Sequence, residues 1–348
     1  MKPGPTRILV ARTDRLGDVI LATPVVRALK QLHPDAEIFF LVQQQWMPVL
    51  QYGDQVMLLA YDSKETFQDL AKRLKPYQFR RAYVLRDEKK VSQAVNRAGI
   101  PERVGPYSSL RSFFLFNRGK FQSRSRCRMH ESEYNLELIH SVRRANDPRA
   151  LPKPWVQTSD NAKRKAAHFL KSEGLKAKAF YVIHPGSSGS ARYVKQASLH
   201  ELARALLAKG KPVVVSGGPG EDELIDEFKK AVPEVKMLAK ENAIGLDGMA
   251  EVYREALAVI AHGTGPLHLA AAVGTPVLAI FPPIFGLGEK RWGPLVQARA
   301  IWTPPEVKCP AVYRCIGEKC RYYDCMDRFE IKEALSLLES INQINHEA

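Results

Sequence analysis

Three short stretches of this chain pair turn residues with groups able to meet a phosphate. Thr264-Gly265-Pro266-Leu267-His268 follows the apolar run Ala258 to Ala261 and precedes Gly274-Thr275-Pro276. It reads as strand, tight turn and helix start, which brings free backbone N–H groups and the positive end of a helix dipole to one point. Pro266 has no N–H to give, so Thr264, Gly265 and Leu267 are the candidates. Such a point favours a phosphate or diphosphate, hence a phosphorylated donor substrate. A second strand and Gly turn, Arg7 to Arg12 then Thr13-Asp14-Arg15-Leu16-Gly17-Asp18, carries a carboxylate, Asp18, where the first carries Thr264. In the third, Tyr181 to His184 runs into Pro185 to Arg192, a loop of small residues and hydroxyls, Ser187 and Ser188 among them, that ends in a cation. Loops at the carboxyl ends of strands converge on a ligand crevice in open α/β sheets.

The elements that must position these loops alternate between apolar strands and helix-period segments. Strands are expected at Arg7 to Arg12, Glu37 to Val42, Val56 to Ala60 and Arg81 to Leu85, and again at Phe180 to His184, Pro212 to Ser216, Val235 to Leu238, Ala258 to Ala261 and Pro276 to Phe281. Alternation of this kind implies parallel sheets with helices on both faces, one sheet in each half. A length of 348 residues exceeds the usual single core, so two domains are expected. The Pro-rich link Leu151-Pro152-Lys153-Pro154-Trp155 marks the boundary, giving domains over 1–155 and 156–330 and a last helical segment over 331–348.

Hydrophobic residues make up 45%, with mixed charges, as in a soluble globular chain. The absence of any run of about eighteen apolar residues, and of an apolar stretch after Met1-Lys2-Pro3, leads us to expect neither a membrane span nor export. The net charge of +15 fits a polyanionic partner. Much of the excess lies between Arg111 and Arg128, where Arg111, Arg118, Lys120, Arg124, Arg126 and Arg128 alternate with Phe113, Phe114, Phe116 and Phe121. Such a segment can bind single-stranded nucleic acid, can hold an amphipathic acceptor at an anionic membrane, or can be a basic loop over core phenylalanines. No RNA-binding signature accompanies it, which favours the membrane and acceptor reading.

The order Arg-Leu-Gly-Asp-Val-Ile-Leu-Ala-Thr-Pro, then His-Pro-Gly-Ser-Ser, then Thr-Gly-Pro-Leu-His-Leu-Ala-Ala-Ala resembles glycosyltransferase family 9, the lipopolysaccharide heptosyltransferases. The likeness extends to His130-Glu131-Ser132-Glu133-Tyr134-Asn135 and to Cys325-Met326. It implies a GT-B architecture, two Rossmann-like domains facing across a cleft, with the final helix packing back on the first domain. It implies a cytoplasmic enzyme, peripheral at the inner face of the bacterial inner membrane, that moves heptose from ADP-heptose to an anionic glycolipid acceptor with inversion and without a metal cofactor. Asp18 matches the position of the general base, which would take the acceptor hydroxyl proton; the alternative is a helix-capping Asp. Asp14, Arg15, Arg118, Lys120, Arg124 and Arg126 are then candidates for the acceptor.

A leaving nucleoside diphosphate needs positive groups aimed at it. Ser187, Ser188, Arg192, Lys195, the Thr264-Gly265-Pro266-Leu267 turn, His262 and His268 are the candidates. Ile244 falls where the resemblance places the adenine. Glu221, Asp222 and Glu223 are not separated by pattern, and Glu223 is taken as the partner of the ribose hydroxyls. Two departures stand out. Many family members carry Asp before the Thr-Gly pair, where this chain has Gly263, and Lys-Arg-Trp-Pro after the Ser-rich loop, where it has Ala191-Arg192-Tyr193-Val194 with Lys195 displaced. These leave open a different nucleotide-sugar, or a catalytically weakened protein that binds phosphorylated glycans. Cys309, Cys315, Cys320 and Cys325 are spaced more widely than zinc ribbons require and are read as reduced thiols, and Cys127 as a thiol without a catalytic partner.

Overall fold

The computed structural model describes residues 5–51, 56–139, 152–187, 189, 191–238 and 244–347. The chain divides into two compact units, Met1–Gln157 and Thr158–Ala348. The first carries β1 (Arg7–Ala11), β2 (Glu37–Gln43), β3 (Val56–Tyr61), β4 (Arg81–Val84) and β5 (Glu102–Val104). All pair in parallel, in the order β3-β2-β1-β4-β5. Ile8, Leu9 and Val10 are all buried, the continuous apolar run of a strand covered on both faces. The covering helices are amphipathic: Thr23–Leu32 buries Val25, Val26, Ala28 and Leu29, with Pro24 in its first turn.

The second unit carries β6 (Tyr181–His184), β7 (Val213–Ser216), β8 (Lys236–Leu238), β9 (Ala258–His262), β10 (Val277–Ile280) and β11 (Arg299–Trp302). They are again all parallel, in the order β11-β10-β9-β6-β7-β8. Both sheets are therefore doubly wound, as the alternation of strands and helices predicts. In each, the strand order reverses beside the first strand, between β1 and β4 and between β6 and β9. That reversal splays the following loops apart and opens a crevice at the strands' carboxyl ends.

The last helix is seated in the second unit. Ala334, Leu338 and Ile341 of the helix Ile331–Glu347 lie in the second unit's own core with Leu278, Ile280 and Trp302. The β10 and β11 faces offer this helix an apolar seat within its own unit, and Trp302 Nε1 donates to Glu333 at 2.9 Å. Strands β5 and β11 were not expected. Both are edge strands, and Glu102-Arg103 and Arg299 break the apolar run that marks interior strands.

Candidate functional site

In the first unit, the reversal beside β1 is built around one arginine. Arg12 follows the last residue of β1 and is 2% exposed. Its Nε donates to Asp14 at 2.7 Å, its Nη2 to Asp18 Oδ1 at 2.5 Å, and its Nη1 to Glu131 and Asn135 at 3.0 Å each. Burial works against the guanidinium's charge, but three carboxylates hold its pKa above the ordinary value. Asp18 sits in the first turn of the helix Leu16–Ile20. Its side chain bonds Arg12 and does not cap the helix. Burial pushes its carboxyl up; Arg12 lowers it and Asp14 and Glu131 raise it, leaving it at about 6. Such a carboxylate is mostly ionised at neutral pH yet basic enough to take a proton. Arg12 occupies Oδ1, and among the described residues Oδ2 has no hydrogen-bond partner.

Other segments fix this cluster. Gln43 Nε2 donates to the carbonyls of Thr13 and Asp14 at 2.7 and 3.2 Å, and Trp46 Nε1 to that of Asp14 at 2.9 Å. Arg86 pairs with the second oxygen of Asp14 at 3.0 Å, so Asp14 is held within the protein's own network. The His130–Asn135 motif is explained as well. His130 caps the helix Glu131–Glu137, Ser132 and Asn135 bond the Leu21 carbonyl that ends the Leu16–Ile20 helix, and Glu131, fully buried, joins Arg12 to Arg124.

Arg124 is tied into the same network. It donates to Glu131 at 2.5 Å and to the Leu85 carbonyl at 2.7 Å, and it lies over Tyr134, because the buried Glu131 needs a second cation. Arg15, Arg118 and Arg126 are exposed, and Lys120 is half-buried beside Pro106. Phe116 is core, whereas Phe113, Phe114 and Phe121 are exposed, so the basic segment is not a loop over core rings.

In the second unit, the reversal lies between the loops after β6 and β9. Thr264 precedes the helix Gly265–Ala272, with Pro266 in its first turn. The Gly265 and Leu267 N–H groups there have no acceptor within their own helix. Leu267 is buried, so only its backbone can serve, and His268 is 97% buried within the same helix. Ser187 is exposed, and Ser188 lies outside the described residues. Arg192 and Lys195 converge on Asp327, at 3.6 and 2.8 Å from its two oxygens, with Arg192 stacked 3.9 Å over Tyr323. The displaced Lys195 thus shares one carboxylate with Arg192, a pair of cations suited to a diphosphate.

Three placements come from the structure alone. His262 is fully buried against Tyr193, and burial pulls its pKa down to about 4; it is neutral and does not supply a cation to a ligand. Glu223 is exposed in the first turn of the helix Asp222–Ala231, while Glu221 turns back to accept the Gly218 N–H at 2.7 Å. Glu221 also lies 3.4 Å from His184 Nε2. Burial brings His184 down to about 4, so this contact is with a neutral ring. His184 Nδ1 meets Ser216 Oγ at 3.2 Å, and Ser216 meets Tyr253 at 2.7 Å. A Cβ on Gly186 would stand 1.9 Å from Glu221 Oε1, so glycine lets that carboxylate approach the loop. The third concerns Gly263, where a Cβ would meet the Phe281 ring at 2.4 Å. The Phe281 ring fills the space that a side chain at this position would need. Ile244, buried, caps the helix Gly245–Glu255.

All five cysteines are free, and Cys127 is buried. Among the described residues no three His, Cys, Asp or Glu side chains are grouped to hold a metal.

Two doubly wound parallel-sheet units, each with polar groups at its strand-order reversal, are the parts of a GT-B glycosyltransferase. The chain belongs to glycosyltransferase family 9 (heptosyltransferase), whose model matches residues 67–313. It is 29% identical to a protein of Haemophilus influenzae provisionally named a glycosyltransferase, over 87% of this chain and 90% of that one. It is 26% identical to lipopolysaccharide heptosyltransferase 2 of Escherichia coli, over 80% and 83% of the two chains. The solved E. coli ADP-heptose lipopolysaccharide heptosyltransferase II shares the fold with a TM-score of 0.79 at 21% identity, over 99% and 100% of the chains. An E. coli heptosyltransferase solved with ADP aligns with a TM-score of 0.69 at 16% identity, over 97% and 100%.

Proposed function

We propose that this heptosyltransferase-family enzyme moves a heptose from ADP-heptose to a lipopolysaccharide-core or related anionic glycolipid, with inversion. The observation that carries the mechanism is Asp18: a partly buried carboxylate near pKa 6, one oxygen fixed by Arg12 and the other open. The acceptor oxygen attacks the anomeric carbon while its proton passes to Asp18 Oδ2. The bond from that carbon to the diphosphate oxygen breaks, and its electron pair leaves with ADP. One displacement inverts the configuration. The Thr264 helix start, Arg192 and Lys195 offset the leaving charge, so no divalent metal is needed for it. Glu221, turned back to the Gly218 N–H, is the carboxylate we assign to a ribose hydroxyl.

The adenine nucleotide is supported by the ADP bound to the E. coli relative. Among the described residues no helix is long and apolar enough to cross a membrane. With a glycolipid acceptor, our reading puts the enzyme in the cytoplasm, peripheral at the inner face of the inner membrane. Phe281 at the Gly263 position favours, as a second reading, a different sugar on the nucleotide. Calorimetric titration with ADP, ADP-heptose, UDP-sugars and GDP-sugars in chelator separates these. Chelator-resistant binding of ADP and ADP-heptose is the expected result; preference for another nucleotide moves the donor, and no nucleotide binding removes the transferase reading.

A further inference from the structure

The helix Leu110–Leu115 is turned inside out. Its polar Ser112 is buried and accepts the Ser108 and Ser109 N–H groups at 3.0 Å each, while Leu110, Phe113 and Phe114 are 78, 54 and 74% exposed. Phe121, 81% exposed, joins them through Tyr107, whose ring lies 5.1 Å from Phe121 and 5.2 Å from Phe113. Asp87 pins the arrangement, accepting from Ser108, Ser109 and Arg111 at 3.2, 2.9 and 3.0 Å. The apolar ridge is thus held outward by its own polar anchors. The same segment carries exposed Arg118, Arg126 and Arg128.

We infer that this ridge docks on an anionic lipid bilayer, its rings and Leu110 entering the interface and the arginines meeting lipid phosphates. Charge disfavours a second copy, which would bring like-charged segments together, and a continuous ridge of Leu110 with three rings buries more fully in a lipid interface than against single bases. The inference deepens the glycolipid-acceptor reading, on which it rests for the membrane's relevance, but it does not depend on the transfer chemistry.

The test is flotation of the full chain with vesicles of phosphatidylcholine alone or with phosphatidylglycerol, for wild type and for Phe113→Ser/Phe114→Ser/Phe121→Ser. Wild type should bind the anionic vesicles about 10-fold better than the neutral ones, and the variant should lose about 10-fold while still binding ADP. In Phe114→Trp the indole emission should shift to the blue on anionic vesicles. No binding by wild type, equal binding by the variant, displacement of the vesicles by RNA, or a dimer that the variant dissociates would each overturn the inference. Failure to bind ADP counts against the transferase reading and leaves the vesicle result standing.

Discussion

Replacing Arg12 with Met keeps most of the side-chain stem and removes the cation shared by Asp14, Asp18 and Glu131. Burial pushes the Asp18 carboxyl up and Arg12 is what pulls it down, so without the guanidinium only raising influences remain. An opposite charge at contact distance displaces a carboxyl titration by about 1–3 on the pH scale. The acid limb of kcat/KM, expected near pH 6 in wild type, should therefore move up by that amount in Arg12→Met. At pH 7 the wild-type base is about nine-tenths ionised. The variant's falls to between about a half and a hundredth, so kcat/KM at pH 7 drops about 2- to 100-fold and recovers as pH rises. Leaving buried carboxylates unpaired also costs about 3–5 kcal/mol of stability. Arg12→Lys, which keeps the charge but not the fork, should show a smaller displacement. The assay is ADP release from pH 5 to 10, with ADP affinity measured at each pH to confirm an intact second unit. An acid limb left near pH 6 in Arg12→Met, with ADP binding intact, refutes the claim that Arg12 sets the ionisation of Asp18.

Asp18→Asn should lower transfer by about 10²- to 10⁴-fold with ADP affinity unchanged. Because the folded pKa of about 6 lies above the ordinary 3.8, Asp18's contribution to stability is complete below about pH 4 and is lost as pH rises through 6. The amide should therefore raise the melting temperature at pH 7 and not below pH 4, as read by scanning calorimetry. Gly263→Ala places a methyl 2.4 Å from Phe281 and should cost about 1–3 kcal/mol in urea unfolding, partly recovered in Gly263→Ala/Phe281→Leu; no loss would mean that the ring moves freely. Asp327→Asn releases Arg192 and Lys195 and should tighten ADP binding by about 3- to 10-fold, whereas Arg192→Ala/Lys195→Ala should weaken it by at least about 10-fold. Unchanged calorimetric affinity in both variants would remove these cations from the diphosphate site.

Buried strands and loop positions were legible because a strand covered on both faces must be a continuous apolar run ended by turn residues. Ile8 to Val10, Val213 to Val215 and Val277 to Ile280 announce themselves in this way. The pairing of charges was not. Arg12 meets Glu131 across 119 positions, and no local pattern joins an arginine ending one strand to a glutamate opening a distant helix. The usable hint was the company they keep: a charge directly after Ile-Leu-Val-Ala is one that burial forces into a pair. Glu221, Asp222 and Glu223 could not be ranked because only the backbone decides which side chain turns back to Gly218. Arg124 looked like its exposed neighbours for the same reason, and Asp327 and Tyr323 lie 131 or more positions from Arg192.

The central claim is tested most directly by the anomeric configuration of the product. The enzyme is incubated with ADP-heptose and a deacylated lipopolysaccharide core in chelator, and the new linkage is assigned by NMR. Inverting transfer by wild type and none by Asp18→Asn is the predicted result. Retention of configuration, an absolute need for a divalent cation, or undiminished product from Asp18→Asn would contradict it.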